Sequence, residues 1–329
     1  MNTTTHPVPA PYHADVAAGP PSGHAVWAEA SDGTRVRIAL WPLDGARGTV
    51  LMFPGRTEYC EKYSDAAAHF AAKGYTSAAI DWRGQGLTER PRRNRLSGHV
   101  GDFDHFQQDV EAMLSAVEAS DLPRPWHLLA HSMGGLIGLR ALMEGLDVAS
   151  ATFSGPMWEL TLVPSRRQMA RFISKLGTAI GLGEAAAPAS GKSADPAGNV
   201  FEGNLLTTDP EMFAWMKRQV TTYPDLALGA PSLSWLRAAF WEMETLEDRP
   251  SPAVPTLTLL GGDEAIVDPD EIRERMADWP GGTLLELPGL RHEVLMENDE
   301  TRADLFGRIV AHMDAAVAGA PSAPLERQA

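Results

Sequence analysis

The chain has 329 residues, 44% hydrophobic, 22% charged and 7% aromatic, which suits one large or two small globular domains and excludes a disordered or fibrous protein. Its 28 Lys and Arg against 43 Asp and Glu leave a net charge of −15, the wrong sign for a nucleic-acid binder. The single cysteine, Cys60, excludes an internal disulfide and a cysteine-based metal cluster.

The opening residues 1–23 and the closing residues 319–329 are rich in Pro, Ala and Gly without periodic apolar positions, and read as loosely ordered tails. No run reaches the roughly 18 to 20 apolar residues of a membrane span, and the N-terminus lacks the cationic start and apolar stretch of a secretory signal, so a cytoplasmic protein is expected. From His24, two alternating runs flank Ser31-Asp32-Gly33 and predict a β-hairpin, because Asp-Gly supplies the turn. Strand and helix then alternate: strands at 49–53, 76–80, 126–130 and 149–154, helices at 62–73, 103–120 and 133–144. Short, continuously apolar strands separated by helices predict a parallel sheet covered on both faces.

The rhythm stops between Gly155 and Pro255 and resumes with strands at 256–260 and 283–287 and helices from Pro269 and Thr301. This predicts a core built from residues 24–154 and 256–318, with residues 155–255 inserted as a helical cap. Within the insertion, Asp209-Pro210-Glu211 is a helix start, the Asp capping and the Pro in the first turn. Residues 185–199 are small and Pro/Gly-containing and read as a mobile loop.

The strongest local signal is WHLLAHSMGGLIGLRAL, in which an apolar strand ends at Ala130, a serine follows at Ser132 and a helix begins at once. A tight strand-to-helix turn strains the serine backbone and needs small residues two before and two after it, here Ala130 and Gly134. A serine hydroxyl is a poor nucleophile at neutral pH, so a base must take its proton and a carboxylate must orient that base. Of ten histidines, His292 lies between the last strand and the last helix, at the carboxyl edge where open α/β sheets build their sites. The loop after the preceding strand, TLTLLGGDEAIVDPDE, offers Asp263, Glu264 and Asp268 as the acid. The order Ser, acid, His is that of an α/β-hydrolase.

These residues resemble the α/β-hydrolase superfamily, and within it the monoglyceride lipase and bacterial lysophospholipase branch, which includes serine aminopeptidase S33-like hydrolases. The resemblance runs from about Trp27 to Met313. It rests on FPGRTEYCEKY (53–63), DWRGQGLTER (81–90), SGHVGDFDHFQQDV (97–110), AHSMGG (130–135), GGDEAIVDP (261–269) and LRHEVLMEND (290–299). It implies an α/β-hydrolase fold with an inserted helical cap, Ser132 as nucleophile and His292 as base. The family pattern Gly-x-x-acid-x-x-Val fits Gly261 to Val267 with Glu264 as the acid, Asp263 being the alternative. The family's oxyanion-hole amides fall on Arg56 and Met133, although Pro54-Gly55 replaces the usual His-Gly; backbone donors tolerate that change. DWRGQG reads as structural, with Asp81 and Arg83 fixing neighbouring loops.

The expected activity is hydrolysis of a single acyl ester of a lysophospholipid or monoacylglycerol, with no cofactor and no metal. The same triad also serves a general carboxylesterase, and a non-catalytic binding protein of this fold is the alternative from another class. In the cap, Met169, Phe172, Ile173, Leu176 and Ile180 recur at helical spacing opposite Arg167, Arg171 and Lys175. That helix is expected to pack on the core, or to meet a lipid interface through its basic face. Met212, Trp215, Met216, Leu233, Leu236, Phe240 and Trp241 suit either cap core or an acyl pocket.

Overall fold

Strands such as TVLMF have no polar face, so both of their sides must be covered, and the fold does this with helices. A computed structural model of the chain describes residues 8–90, 95–187, 198 and 200–319. Its nine strands are β1 (Val8–Ala10), β2 (His24–Glu29), β3 (Arg35–Trp41), β4 (Thr49–Phe53), β5 (Thr76–Asp81), β6 (Trp126–His131), β7 (Ser150–Ser154), β8 (Thr256–Gly261) and β9 (Gly282–Leu287). They form one sheet in the order β1-β2-β3-β5-β4-β6-β7-β8-β9. The first three strands and the β3–β5 pairing are antiparallel, and every later pairing is parallel. The hairpin at Ser31-Asp32-Gly33 forms as its turn residues dictate.

Helices α1 (Ser64–Ala71) and α8 (Asp299–Ala318) cover one face with Phe70, Phe306 and Ile309, while α2 (Asp104–Ala119), α3 (Met133–Met143) and α7 (Pro269–Ala277) cover the other with Phe106, Leu136 and Ile272. Each such fully buried side chain contributes about 1.5–3 kcal/mol of apolar burial. The helix expected from Lys62 begins at Ser64, and the last helix begins two residues before Thr301.

The expectation of a loose N-terminal tail fails for residues 8–23. Val8–Ala10 pairs with β2, the Trp41 indole N–H donates to the Tyr12 hydroxyl at 3.0 Å, and His13 stacks on Tyr223 at 3.6 Å. These partners lie far along the chain, so a composition rich in Pro and Ala conceals them. Residues 1–7 and 320–329 lie outside the described residues, as does most of the expected mobile loop 185–199.

Asp81, at the end of β5, accepts from Arg37 Nε and from the amides of Cys60 and Leu87, each at 2.7 Å. Arg83 binds Asp109 and Asp32, so DWRGQG is a set of struts. Cys60 is completely buried beside this cluster, its Sγ 3.4 Å from the carbonyl oxygen of Ala79, and burial pushes its thiol pKa well up.

Between β7 and β8 the chain leaves the sheet and builds α4 (Pro164–Ala179), α5 (Pro210–Thr222) and α6 (Leu233–Glu247). Asp209 caps α5 by accepting from Met212 N at 2.7 Å, with Pro210 in the first turn. α4 lies across α6, where a Cβ on Gly177 would come within 2.4 Å of Leu233 Cδ1. Among the described residues, no helix is long and apolar enough to cross a membrane.

Candidate active site

Ser132 stands between β6 and α3 with φ 51° and ψ −118°, a conformation L-residues avoid. The strain is held by close packing. A Cβ on Gly134 would lie 2.0 Å from the carbonyl oxygen of Phe53, so only glycine lets α3 start hard against the end of β4. Ala130 is fully buried at the other side of the turn, and a Cβ on Gly138 would already meet it at 3.3 Å, so a larger residue at 130 would push α3 away.

The next strand's loop, Pro54-Gly55-Arg56, folds over this turn. A Cβ on Gly55 would meet Ser132 Cβ at 3.1 Å. Among the described residues, no acceptor takes the N–H of Arg56 or of Met133. The loop that carries Arg56 thus lies against the Ser132 turn, which Met133 follows.

His292 follows β9 and faces Glu264, which follows β8; His292 Nδ1 and Glu264 Oε2 are 2.7 Å apart. Glu264 Oε1 accepts from the amides of Ile266 at 2.7 Å and Val267 at 3.2 Å. Burial alone would raise the Glu264 pKa, but the His292 hydrogen bond, its charge and these two amides outweigh it and hold the carboxylate below its ordinary value. The pair is walled by Gly155, where a Cβ would lie 3.1 Å from His292 Nδ1. Asp263, the other acid considered, is exposed and its carboxylate takes no part; Asp268 caps α7 through Asp270 N at 3.0 Å.

Beneath the Ser132 turn lies a charged group that the sequence reading missed. The Glu58 carboxylate accepts from the Gly55 amide, from Lys62 Nζ and, at 2.7 Å, from the Tyr63 hydroxyl. Lys62 Nζ also donates to Glu293, the neighbour of His292. His131, the neighbour of Ser132, donates from Nδ1 to the Ser154 carbonyl at 2.8 Å and keeps Nε2 3.7 Å from Glu58. Its ring lies 4.8 Å from that of His292. Burial would raise the Glu58 pKa, yet Lys62 above all pulls it down to about 2, and burial lowers the His131 pKa. Glu58, His131 and Glu293 are a metal-binding set by residue type, but the Lys62 ammonium supplies the positive charge between the two carboxylates. FPGRTEYCEKY carried the signal: Glu58 and Lys62 are four residues apart, one helical turn, in a motif otherwise read only for Pro54-Gly55-Arg56.

The apolar side of the cap helix α4 does not pack on the core as expected; the helix buries Ser174 and Gly177 instead. Arg167 reaches Glu159 at 3.2 Å and Asp268 at 3.6 Å, and Arg171 reaches Glu244 at 2.5 Å, so two of the three basic residues bind the protein's own carboxylates. Met169, Phe172, Leu176 and Ile180 instead form an apolar ridge, each 48–62% exposed. Of the remaining cap side chains, Met212, Leu233 and Phe240 are buried, Trp215, Met216 and Leu236 half-buried, and Trp241 exposed.

Known proteins agree with this architecture. Residues 44–299 match the family described as serine aminopeptidase, S33. The chain is 29% identical to a probable lysophospholipase L2 of Haemophilus influenzae over 275 residues, covering 82% of this chain and 85% of that one. It is also 29% identical to lysophospholipase L2 of Escherichia coli, covering 79% and 78%. A soluble variant of monoglyceride lipase from Saccharomyces cerevisiae, solved with a substrate analogue, superposes with a TM-score of 0.71 at 22% identity over 94% of this chain and 99% of that one. The sheet order, the strained serine turn and this match establish that the chain is a hydrolase of the serine aminopeptidase S33 family, built on the α/β-hydrolase fold.

Proposed function

We propose that the protein is a serine carboxylester hydrolase that removes the single acyl chain of a lysophospholipid or monoacylglycerol through an acyl-enzyme. The observation that carries this reading is the 2.7 Å contact of His292 with Glu264 at the sheet edge that presents Ser132. Ser132 Oγ attacks the ester carbonyl while His292 Nε2 takes its proton, and the amides of Arg56 and Met133 receive the oxyanion. His292 returns the proton to the leaving glycerol oxygen. Water, deprotonated in turn by His292, attacks the acyl-enzyme, and the fatty acid leaves as Ser132 regains its proton. Glu264 fixes the imidazole tautomer and stabilises the imidazolium in both halves.

The relatives named above support the lipid part of the reading, and so does the ridge on α4. An apolar strip of this kind suits the surface of a micelle or membrane, where a single-chain lipid is found. The contact is assigned to the ridge rather than to Arg167 and Arg171, which are already paired.

A panel of p-nitrophenyl esters, monoacylglycerols and lysophospholipids tests the substrate class; turnover confined to the soluble esters would reduce the protein to a general carboxylesterase. Ser132→Ala or His292→Ala should lower kcat by on the order of 10⁴-fold or more and abolish fluorophosphonate labelling in the serine variant. Glu264→Gln should cost roughly 10³- to 10⁴-fold and Asp263→Asn far less. The reverse ranking of the two acids would move the triad to Asp263.

A further inference from the structure

The residue whose amide faces the oxyanion carries a guanidinium with unusual surroundings. Arg56 Nη2 donates to the Gly229 carbonyl in the cap at 2.6 Å, and Cζ lies 5.3 Å from the centre of the Trp235 ring. Its Nε is buried with no acceptor. No carboxylate among the described residues pairs with it. The slot is narrow: a Cβ on Gly98 would come within 2.9 Å of Nη2 and 2.8 Å of Leu228 Cδ2.

Most other cations drawn into this chain are held more fully, Arg237 with the single carbonyl of Gly101 being the exception. Arg37 binds Glu61 and Asp81, Lys62 binds Glu58 and Glu293, and Arg83 binds Asp109 and Asp32. Arg90 and Arg275 lack carboxylates but are each held by several carbonyls: those of Gly86, Arg95 and Ala227 for the first, and of Leu246, Glu247 and Arg249 for the second. Arg56 has one carbonyl and one aromatic face. A half-buried charge left this bare is costly, in a chain with 43 acidic residues from which a partner could have come. Burial pushes its pKa down to about 9, so it remains a cation at neutral pH.

We propose that the Arg56 guanidinium binds a phosphate ester, so that the leaving group of an anionic or zwitterionic glycerophospholipid supplies the missing counter-charge during deacylation. The inference rests on the ester-hydrolase reading above. One residue then serves both ends of the reaction, its amide at the acyl carbonyl and its side chain at the alcohol. In a glycerophospholipid the ester carbonyl and the phosphate are separated by one glycerol unit, a span of the same order as an arginine side chain. A guanidinium presents parallel donors to two phosphate oxygens, and Nε is still free to be one of them. With a net charge of −15 the protein as a whole repels an anionic headgroup, which makes a local cation decisive for selectivity.

The test compares wild type, Arg56→Met and Arg56→Lys on a 1-acyl lysophosphatidylglycerol and on the 1-monoacylglycerol of the same chain. Any disturbance of the oxyanion turn affects both substrates and divides out of the ratio of their kcat/KM values. That ratio should fall about tenfold or more in Arg56→Met, as expected for a lost charged hydrogen bond, and recover in part in Arg56→Lys. A second arm measures inhibition of p-nitrophenyl ester hydrolysis by sn-glycerol 3-phosphate and by inorganic phosphate. Inhibition of wild type but not of Arg56→Met supports the site, the glycerol ester winning if the ligand is a headgroup and both acting alike if it is free phosphate. If Arg56 is only a strut for the cap, both lipids slow equally and neither anion inhibits, which overturns the proposal. Should neither lipid be turned over while p-nitrophenyl esters are, the lipase reading fails and the inhibition arm still decides for or against the phosphate site.

Discussion

The body and the cap use the same residue types in opposite ways. In the body, charge is buried in matched groups: Glu58, Lys62 and Glu293 below the serine turn, and Arg37, Glu61 and Asp81 beside Cys60. Its apolar side chains are inside. In the cap, α4 turns Arg167 and Arg171 inward to carboxylates and sets Phe172, Leu176 and Ile180 facing out. The difference separates two demands, since a catalytic frame must be rigid whereas the surface proposed to meet lipid must leave apolar area uncovered. Substitutions in the body should therefore cost stability, and those on the ridge should cost interfacial activity alone.

The largest effect on stability should come from Lys62→Met. It leaves Glu58 and Glu293 buried without their shared cation, and unfolding in denaturant should show a loss of about 3–5 kcal/mol. Replacing all three together by Met, Gln and Gln should recover most of it, because the uncompensated charge and not the lost contact is the penalty. A triple variant as unstable as the single one would mean that the contacts themselves matter.

A second body effect depends on pH. His127, on β6, lies 2.8 Å from Ser150 Oγ, and burial pushes its pKa down to about 4, against about 6.5 in the unfolded chain. Between pH 6.5 and 4 the unfolded state takes up a proton that the folded state refuses. This group is neutral in both states above that window and costs no stability there. As pH falls through it, about 3 kcal/mol is lost. In His127→Gln the stability should decline less steeply over that range, read as denaturant midpoints at each pH. Parallel curves for the two proteins would contradict the buried neutral ring.

The cap should respond least in stability. Phe172→Ser, Leu176→Ser and Ile180→Ser should each move the unfolding free energy by no more than about 0.5 kcal/mol, as exposed positions do. Combined, they should reduce turnover of micellar substrate roughly tenfold while sparing a soluble short-chain ester, consistent with lost apolar burial of a few side chains. Equal losses on both would show that the ridge shapes the site instead of meeting an interface.

Legibility followed the same division. β4, β6 and β8 are wholly buried runs, and their short, largely apolar sequences identify them without any tertiary knowledge. The serine turn was readable because its steric demand is local: small residues at 130 and 134, a strand before and a helix after. The proposed acid was not readable from residues alone. Asp263, Glu264 and Asp268 are near neighbours, and what distinguishes them is a contact with a histidine 28 residues away. The facing of α4 was hidden for the same reason, since periodicity shows that two sides differ and not which side goes inward; Glu159, Glu244 and Asp268, which decide it, come from three separate segments. The order of residues 8–23 was hidden because their partners are Trp41, Glu61 and Tyr223.

Cys60 gives this architecture an internal reporter. It is the chain's sole thiol, it has no exposed surface, and its amide is tied to the same Asp81 that anchors Arg37. A thiol-modifying reagent can reach it only when this frame opens, so the rate of alkylation in the native protein times that opening directly. Its sulfur sits against the carbonyls of Arg37 and Ala79 in the sheet, at 3.9 and 3.4 Å. Labelling kinetics thus distinguish breathing of the lid from opening of the catalytic scaffold, using an atom the natural chain already carries.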